Sequence, residues 1–344
     1  NTDLVLVPTN GSTLTLSGNV DMDFDGENDL TIEGPGDVTL SGALSSGTGN
    51  SDINVTGSGT VTLAGDNTGE SFQIEHGSGT VYLNSANALG TSYSDKIKIN
   101  GDGNTLRVGA TMGPAALGIQ INGNYGLTLN TDAGATLTVA GAVDDGANAA
   151  DLTKVGDGTV LLNGANNIDG TTLVTAGILG GTGSISGALD IDGGGTVSPG
   201  ASVGTLSAGA TTWNTNGIYV WEINDFTGTY GTDPGWDKLD ITGDLDIDAT
   251  AAKTFTIKIT SLNGSVAGNA ANFDNSSDYT QSIASASASI NNFVANKFTL
   301  DTTGFSNDEN GGTWSIEEGS GTIDLVFSAP AAPAAPAAPV ATAA

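Results

Sequence analysis

Three aspartates alternate with apolar residues in the run Asp21-Met22-Asp23-Phe24-Asp25-Gly26. Calcium loops open in this way, because hard oxygen ligands converge there and a glycine permits a sharp turn. The twelfth position, where such a loop usually places an acid, is Ile32. The alternative is a strand with its acids in water. No cofactor is required by the sequence, and calcium is the one candidate ion. Its predicted ligands are Asp21, Asp23, Asp25 and Asp29.

His76 is the single histidine of the chain and follows Glu75 at a predicted strand end. A catalytic histidine needs a nucleophile and an orienting acid beside it. The sequence has no Gly-x-Ser-x-Gly motif of the kind that presents a nucleophilic serine. We therefore expect His76 to be a solvated residue at a corner, and we predict that the protein is not an enzyme.

Polysaccharide cleavage is the alternative that stays open. Lyases acting on acidic polymers need basic residues, and here Arg107 is the only arginine, with Lys96 and Lys98 nearest to it. A glycosidase needs two carboxylates at a defined separation. With 38 acidic residues the sequence singles out no such pair. The alternative function is a carbohydrate-active or carbohydrate-binding β-helix with an acidic groove.

The excess of acidic over basic residues excludes some classes of binding partner. The chain has 38 Asp and Glu against 8 Lys and Arg, a formal net charge of −30. Such a surface repels phosphate, so we expect no binding to nucleic acid. No apolar run reaches the roughly 18 residues of a membrane helix, so no membrane insertion is predicted. The sequence starts at Asn1, and we expect an extracellular or cell-surface protein from which an export signal has been removed.

Short strands of the form apolar–Thr–apolar recur with a period near 23 residues. Alternation places both apolar residues on one face and threonine on the other. A sustained period of this length predicts an all-β fold, a parallel β-solenoid over residues 1–211, and fits a β-sandwich less well. The aligned apolar residues are Leu16, Leu40, Leu63, Leu83, Leu106 and Leu129, continued by Leu162, Ile185 and Leu206. Leu40, Leu63, Leu83, Leu129 and Leu162 should be buried, and Thr39, Thr62 and Thr128 should face outward.

The composition changes near residue 212. All four tryptophans lie beyond this position, and large side chains imply a thicker core. Residues 212–328 are therefore predicted to form a C-terminal β unit that caps or extends the solenoid, since an uncovered terminal coil would present unpaired strand edges. Residues 329–344 are almost entirely Ala and Pro, a composition typical of a semi-extended tail.

Residues 151–179 contain Leu-Thr-Lys-Val-Gly-Asp-Gly-Thr, an apolar strand, Gly-Ala-Asn, Gly-Thr-Thr, a second strand and Ala-Gly. This succession resembles the autotransporter-associated β-strand repeat. Residues 197–206, Val-Ser-Pro-Gly-Ala-Ser-Val-Gly-Thr-Leu, resemble the Ser-Pro-Gly segment that often follows such repeats. The resemblance implies a right-handed β-helix, export and placement at the cell surface, and it implies no common enzymatic activity.

These features together predict a non-enzymatic structural or adhesive surface protein that assembles head to tail into a filament or layer. A solenoid leaves open edges at both ends, and identical subunits can close them. The expected partners are copies of the chain itself, with surface polysaccharide as a further candidate. The predicted assembly residues are Leu4, Val5, Leu6 and Val7 at one end and Pro330, Pro333, Pro336 and Pro339 at the other.

Overall fold

The computed structural model describes residues 3–22, 29–45, 51–67, 73–90, 96–113 and 117–331. Within these ranges the protein is all-β and consists mainly of parallel sheets. One short 3₁₀ helix, Ala295–Lys297, is the only helical element of the described residues. None of the described residues forms a helix with the length and apolarity needed to cross a membrane.

Two sheets contain most of the first half of the chain, and all strands in both are paired in parallel. Sheet I has the order β1 (Leu4–Leu6), β4 (Leu30–Ile32), β7 (Asp52–Val55), β9 (Gln73–His76), β11 (Lys96–Ile99), β13 (Gly118–Ile121) and β16 (Val143–Asp144). Sheet II has the order β2 (Thr13–Leu16), β5 (Asp37–Leu40), β8 (Thr60–Leu63), β10 (Thr80–Leu83), β12 (Asn104–Val108), β14 (Leu127–Thr131), β17 (Leu152–Val155), β20 (Thr171–Val174), β23 (Ala188–Ile191), β26 (Thr211–Trp213), β31 (Leu245–Ile247) and β35 (Ile290–Asn291). A separate pair joins β3 (Val20–Asp21) to β6 (Leu44–Ser45).

Two further sheets begin in the middle of the chain. Sheet III has the order β15 (Thr136–Val139), β18 (Thr159–Leu162), β21 (Gly177–Gly181), β24 (Gly195–Pro199), β27 (Ile218–Ile223), β29 (Gly235–Trp236) and β28 (Thr229–Tyr230), with β32 (Phe255–Asn263) also on β27, and β33 (Val266–Ala267) and β36 (Phe298–Gly304) on β32. Sheet IV has the order β19 (Ala165–Asn166), β22 (Ser184–Ile185), β25 (Thr205–Ala208), β30 (Lys238–Ile241), β34 (Tyr279–Ala286), β38 (Thr322–Ser328) and β37 (Thr313–Glu318). The last two pairings of sheet IV are antiparallel.

The chain visits the sheets in turn and returns to each beside its previous strand. From β1 to β14 it alternates between sheets I and II, with the short strands β3 and β6 following the first two visits to sheet II, and every return is a parallel pairing. Because a parallel return needs a long connection, each circuit takes about twenty residues or more. This arrangement is compatible with a β-solenoid and explains the period seen in the sequence.

The predicted inward residues occupy the interior. The exposed fractions of Leu40 and Leu63 are 1%, and those of Leu83, Leu129 and Leu162 are 0%. Thr39, Thr62 and Thr128 alternate with them and are half-buried. The predicted orientation of these strands is therefore confirmed, and the stacked aliphatic columns form a continuous hydrophobic core.

Two details of the predicted alignment are wrong. Leu83 pairs with Val108, while Leu106 pairs with Val81, so the register moves by two residues at β12. The later members of the series leave sheet II altogether: Leu162 lies in sheet III, and Ile185 and Leu206 lie in sheet IV. Each strand has two inward positions that are two residues apart, and both fit the alternation of apolar residues. The spacing in the sequence therefore does not show which of the two pairs with a given inward residue of the preceding strand.

Close backbone stacking at the corners explains part of the glycine content. A Cβ on Gly42 would collide with the carbonyl oxygen of Gly18, and one on Gly65 would collide with that of Gly42. Buried asparagines bind the corners of successive circuits to each other. Asn67 accepts a hydrogen bond from the Leu44 N–H at 2.7 Å and donates one to the Ala88 carbonyl at 2.7 Å. These side chains satisfy backbone groups that the turns leave unpaired.

Sheets II, III and IV continue past residue 212, and the predicted boundary falls within β26. Beyond this point aromatic side chains fill the interior. Trp213 is fully buried and stacks on Phe255, with ring centroids 4.7 Å apart. Sheet IV then ends in the antiparallel strands β38 and β37.

Candidate functional site

Sheet II ends in one strand at each extremity, β2 and β35. Each has a single strand partner among the described residues, β5 for β2 and β31 for β35. Strand edges of this kind carry unpaired N–H and C=O groups that can accept a further strand. β2 and β35 are the first and last strands of the sheet, so their outer edges face in opposite directions along the stack.

Residues of the first circuit are exposed at positions where their paired residues in the second circuit are buried. Leu4 pairs with Leu30, yet the exposed fraction is 46% for Leu4 and 0% for Leu30. Leu16 is half-buried, whereas its partner Leu40 is 1% exposed. Val7 is 62% exposed. A hollow of about 420 Å³ lies between β1 and β2. The predicted assembly residues at this end therefore form an apolar surface, called here the first-circuit edge (residues 4–16).

The opposite end differs in chemistry. Aromatic side chains close the core, with Trp314 against Phe305 and Phe327 at centroid distances of 5.3 Å in each pair. The outermost strand of sheet IV, β37, carries the exposed acids Glu317 and Glu318. Of the predicted assembly prolines, Pro330 follows β38 and is half-buried. Pro333, Pro336 and Pro339 lie outside the described residues.

Two of the four predicted calcium ligands are described. Asp29 accepts hydrogen bonds from the Asp52 N–H at 3.0 Å and from Asn54 Nδ2 at 3.3 Å. Asp21 accepts one from Ser45 Oγ at 3.1 Å. Both carboxylates thus contact the following circuit. Asp23 and Asp25 lie outside the described residues, and no cluster of three or more metal-ligating side chains occurs in the described ranges.

Calcium binding at Asp21–Asp29 stays a prediction with a direct test. If the loop binds calcium, a hundredfold excess over the dissociation constant should raise the free energy of unfolding by about 2.7 kcal/mol. EDTA should remove this gain, and so should Asp25→Asn, while Asp157→Asn should retain it. The measurement is the melting temperature with and without the ion. A melting temperature that ignores both calcium and EDTA would show a strand and turn without a metal.

His76 is not the solvated corner residue that the sequence predicts. Its exposed fraction is 0%, and it lies in register with Val55 and Ile99 in sheet I. Its Nε2 donates to the Gly79 carbonyl at 3.2 Å, and Nδ1 has no partner among the described residues. Burial lowers the pKa of His76 to about 4, so the ring is neutral at pH 7. His76 is the last residue of β9, as predicted, but the alternation of the strand turns its ring inward beside Ile74.

The basic residues near Arg107 are dispersed over two sheets. Lys98 lies in sheet I and pairs with Glu75 at 3.1 Å. Arg107 lies in sheet II, binds Asp132 with both Nε and Nη2, and covers the Tyr82 ring at 4.3 Å from its centroid. The guanidinium lowers the pKa of Asp132. Lys96 begins β11, and its side chain is outside the described part of the structure.

A pair of acids that sequence reasoning did not single out lies beside sheet III. Asp237 is fully buried and accepts the Gly204 N–H at 2.8 Å on Oδ1 and the Glu222 N–H at 3.0 Å on Oδ2. Burial raises the pKa of Asp237 well above its usual range, and the charge of Glu222 adds to this effect. Asp237 therefore links backbone segments and is closed to solvent.

Glu222 faces outward, because its neighbours Trp221 and Ile223 point into the core. It lines a hollow of about 250 Å³ on the outer face of sheet III, together with Thr136, Thr159, Leu161, Ile178 and Ser198. Burial alone raises the pKa of Glu222. No hydrogen bond or ion pair joins its carboxylate to another described residue. The alternation around Glu222 was visible in the sequence, whereas the hollow depends on the register of five strands, β15, β18, β21, β24 and β27.

No protein-family model matches the chain, and no curated protein matches it in sequence.

Proposed function

We propose that the chain forms a right-handed β-solenoid and serves as a non-enzymatic structural element of an exported surface protein. Parallel returns to the same sheets over twelve strands of sheet II support the solenoid. Parallel strand connections are right-handed in about 98% of cases, which supports the handedness. The resemblance of residues 151–206 to autotransporter-associated repeats supports export to the cell surface.

The proposed role is head-to-tail assembly into a filament or layer. The observation that carries it is the first-circuit edge, where Leu4 is 46% exposed at a core position that is fully buried in the next circuit. Among the described residues, neither β2 nor β35 has a second strand neighbour in sheet II, so one copy can continue the sheet of the next in parallel. Such a contact is heterologous and propagates.

The negative net charge of the chain opposes this assembly. Thirty net negative charges resist the approach of two copies, and added salt shortens the range of that repulsion to roughly 10 Å at 0.1 M. Assembly should therefore strengthen as the salt concentration rises, because the apolar contact itself does not depend on screening.

We expect Leu14→Glu to abolish long assemblies, since it places a charge on a half-buried position of the first-circuit edge. Deletion of residues 1–8 should have the same effect, and deletion of residues 329–344 tests the opposite end. Val266→Glu is the matched control, because Val266 is 65% exposed on a distant hairpin. Light scattering and electron microscopy measure assembly, and circular dichroism checks that the β-structure persists. An intact chain that stays monomeric at high concentration and high salt, or truncated chains that polymerise normally, would refute the proposal.

A further inference from the structure

The outer face of sheet III contains a hollow beside Gly180. Leu161 pairs in register with Gly180, and Gly180 pairs with Ser198. Gly180 itself is buried, and a Cβ there would collide with the carbonyl oxygen of Ser198, so the backbone of β24 packs closely against this position. Leu161 and Ile178 supply apolar walls to the hollow at this place, and Glu222 contributes the carboxylate.

No cation of the described residues forms an ion pair with the carboxylate of Glu222. Lys98, Arg107 and Lys238 form ion pairs with other acids, and Lys154 and Lys297 donate to backbone carbonyls. Lys258 lies on the neighbouring strand β32, in register with Val220 on one side and with Asp301 on the other. Lys253 is exposed and precedes β32. A half-buried carboxylate without a partner loses hydration and gains nothing in return, so a cation that reaches it is favoured. Anionic ligands are disfavoured for the same reason.

The shape of the hollow limits the size of that cation. Its volume of about 250 Å³ lies below the roughly 300–1,000 Å³ of pockets that hold drug-sized ligands. The apolar walls suit methylene groups, and the hydroxyls of Thr136, Thr159 and Ser198 are acceptors for N–H donors. An ammonium group has three N–H donors, and the carboxylate alone does not accept all three, so the hydroxyls can accept the others.

We propose that the hollow beside Glu222 binds a primary ammonium group carried on a short aliphatic chain, such as a lysine side chain or a small diamine. The carboxylate pairs with the ammonium group, the hydroxyls accept its remaining N–H bonds, and Leu161 and Ile178 pack against the methylene groups. This site is independent of the first-circuit edge and of the proposed assembly.

The test is a titration of the intact chain with n-butylammonium chloride, at an ionic strength held constant with sodium chloride. Methyl NMR signals of Leu161 and Ile178 report on the hollow. We expect saturable shifts with butylammonium, and much weaker effects from n-butanol, which lacks the charge, and from ammonium chloride, which lacks the chain. Glu222→Gln should weaken binding about tenfold, as the loss of one charge-assisted hydrogen bond implies. Glu318→Gln, which removes an exposed carboxylate elsewhere, should leave it unchanged.

Leu161→Ala provides a second variant that leaves the charge in place. It should weaken butylammonium binding without changing the response to ammonium chloride. Equal losses in Glu222→Gln and Glu318→Gln, or equal binding of butylammonium and ammonium, would overturn the proposal and indicate counterion condensation on an acidic surface. Titration with putrescine and with Nα-acetyl-lysine amide then distinguishes a diamine from a lysine side chain as the source.

Discussion

Acidification from about pH 7.5 to about pH 5 is expected to lower the free energy of unfolding by about 2 kcal/mol through His76 alone, and by about 3 kcal/mol at about pH 4. The cause is the buried position of the ring, which lowers its pKa from 6.5 to about 4. As the pH falls, the unfolded chain therefore binds a proton before the folded chain does. The contribution of His76 is complete above pH 6.5, is lost as the pH falls towards 4, and changes little below that value.

The measurement is urea unfolding at the two pH values for the natural chain and for His76→Leu. Many carboxylates titrate in the same range, so the informative quantity is the difference in pH dependence between the two proteins. Leucine suits a column that contains Val55 and Ile99. His76→Gln separates packing from titration, because glutamine is polar but carries no proton equilibrium. It should be less stable than His76→Leu at every pH and should equally lack the acid sensitivity. An unchanged pH dependence in both variants would contradict the expectation.

Period and alternation in the sequence were sufficient to predict an all-β fold of parallel strands and the inward face of its first strands. The inward leucines of sheet II and the outward threonines between them occupy the predicted faces, because burial of one face of a strand fixes the direction of every side chain. The distribution of circuits over four sheets was not predictable. Leu162 was aligned with Leu129, although 33 residues separate them. In the structure it pairs with Val139 in sheet III. The period counts residues per circuit and does not say which side of the circuit a strand occupies.

The prediction for His76 was wrong because polarity was given more weight than alternation. The alternation in Gln73-Ile74-Glu75-His76 places His76 on the same face as Ile74, but the polarity of the ring suggested a solvated corner. A single backbone carbonyl, that of Gly79, is enough to satisfy one ring nitrogen in the interior. The hollow at Glu222 is a different case. It depends on which residues of β18, β21 and β24 become neighbours, and no local pattern encodes that register.

Replacing Lys154 with methionine is expected to destabilise the folded chain by about 3 kcal/mol, because hydrogen bonds from a charged donor contribute about 1.5–3 kcal/mol each and relief of desolvation offsets part of the loss. Lys154 lies in sheet II between Leu129 and Val174 and is fully buried. Its Nζ donates to the carbonyls of Val155 at 2.7 Å, Gly156 at 2.8 Å and Ala176 at 3.1 Å. Burial lowers its pKa to about 8, so the ammonium group is charged at pH 7 and all three N–H bonds are used.

Lys98→Met is the matched control, because Lys98 is half-exposed and forms one ion pair on the outer face. Its cost should be within about 1 kcal/mol, as for other surface pairs. Urea unfolding of both variants at pH 7 measures the contrast. Equal costs for the two substitutions would mean that desolvation of the buried ammonium group cancels its hydrogen bonds. A larger cost for Lys154→Met means that the converging carbonyls need a cation between them. Two of these carbonyls, of Val155 and Gly156, lie where β17 ends, and the third belongs to Ala176 in the following circuit. Lys154 would then stabilise the corner between β17 and β20 through its ammonium group, and the three carbonyl acceptors would explain how a lysine occupies a buried position between Leu129 and Val174.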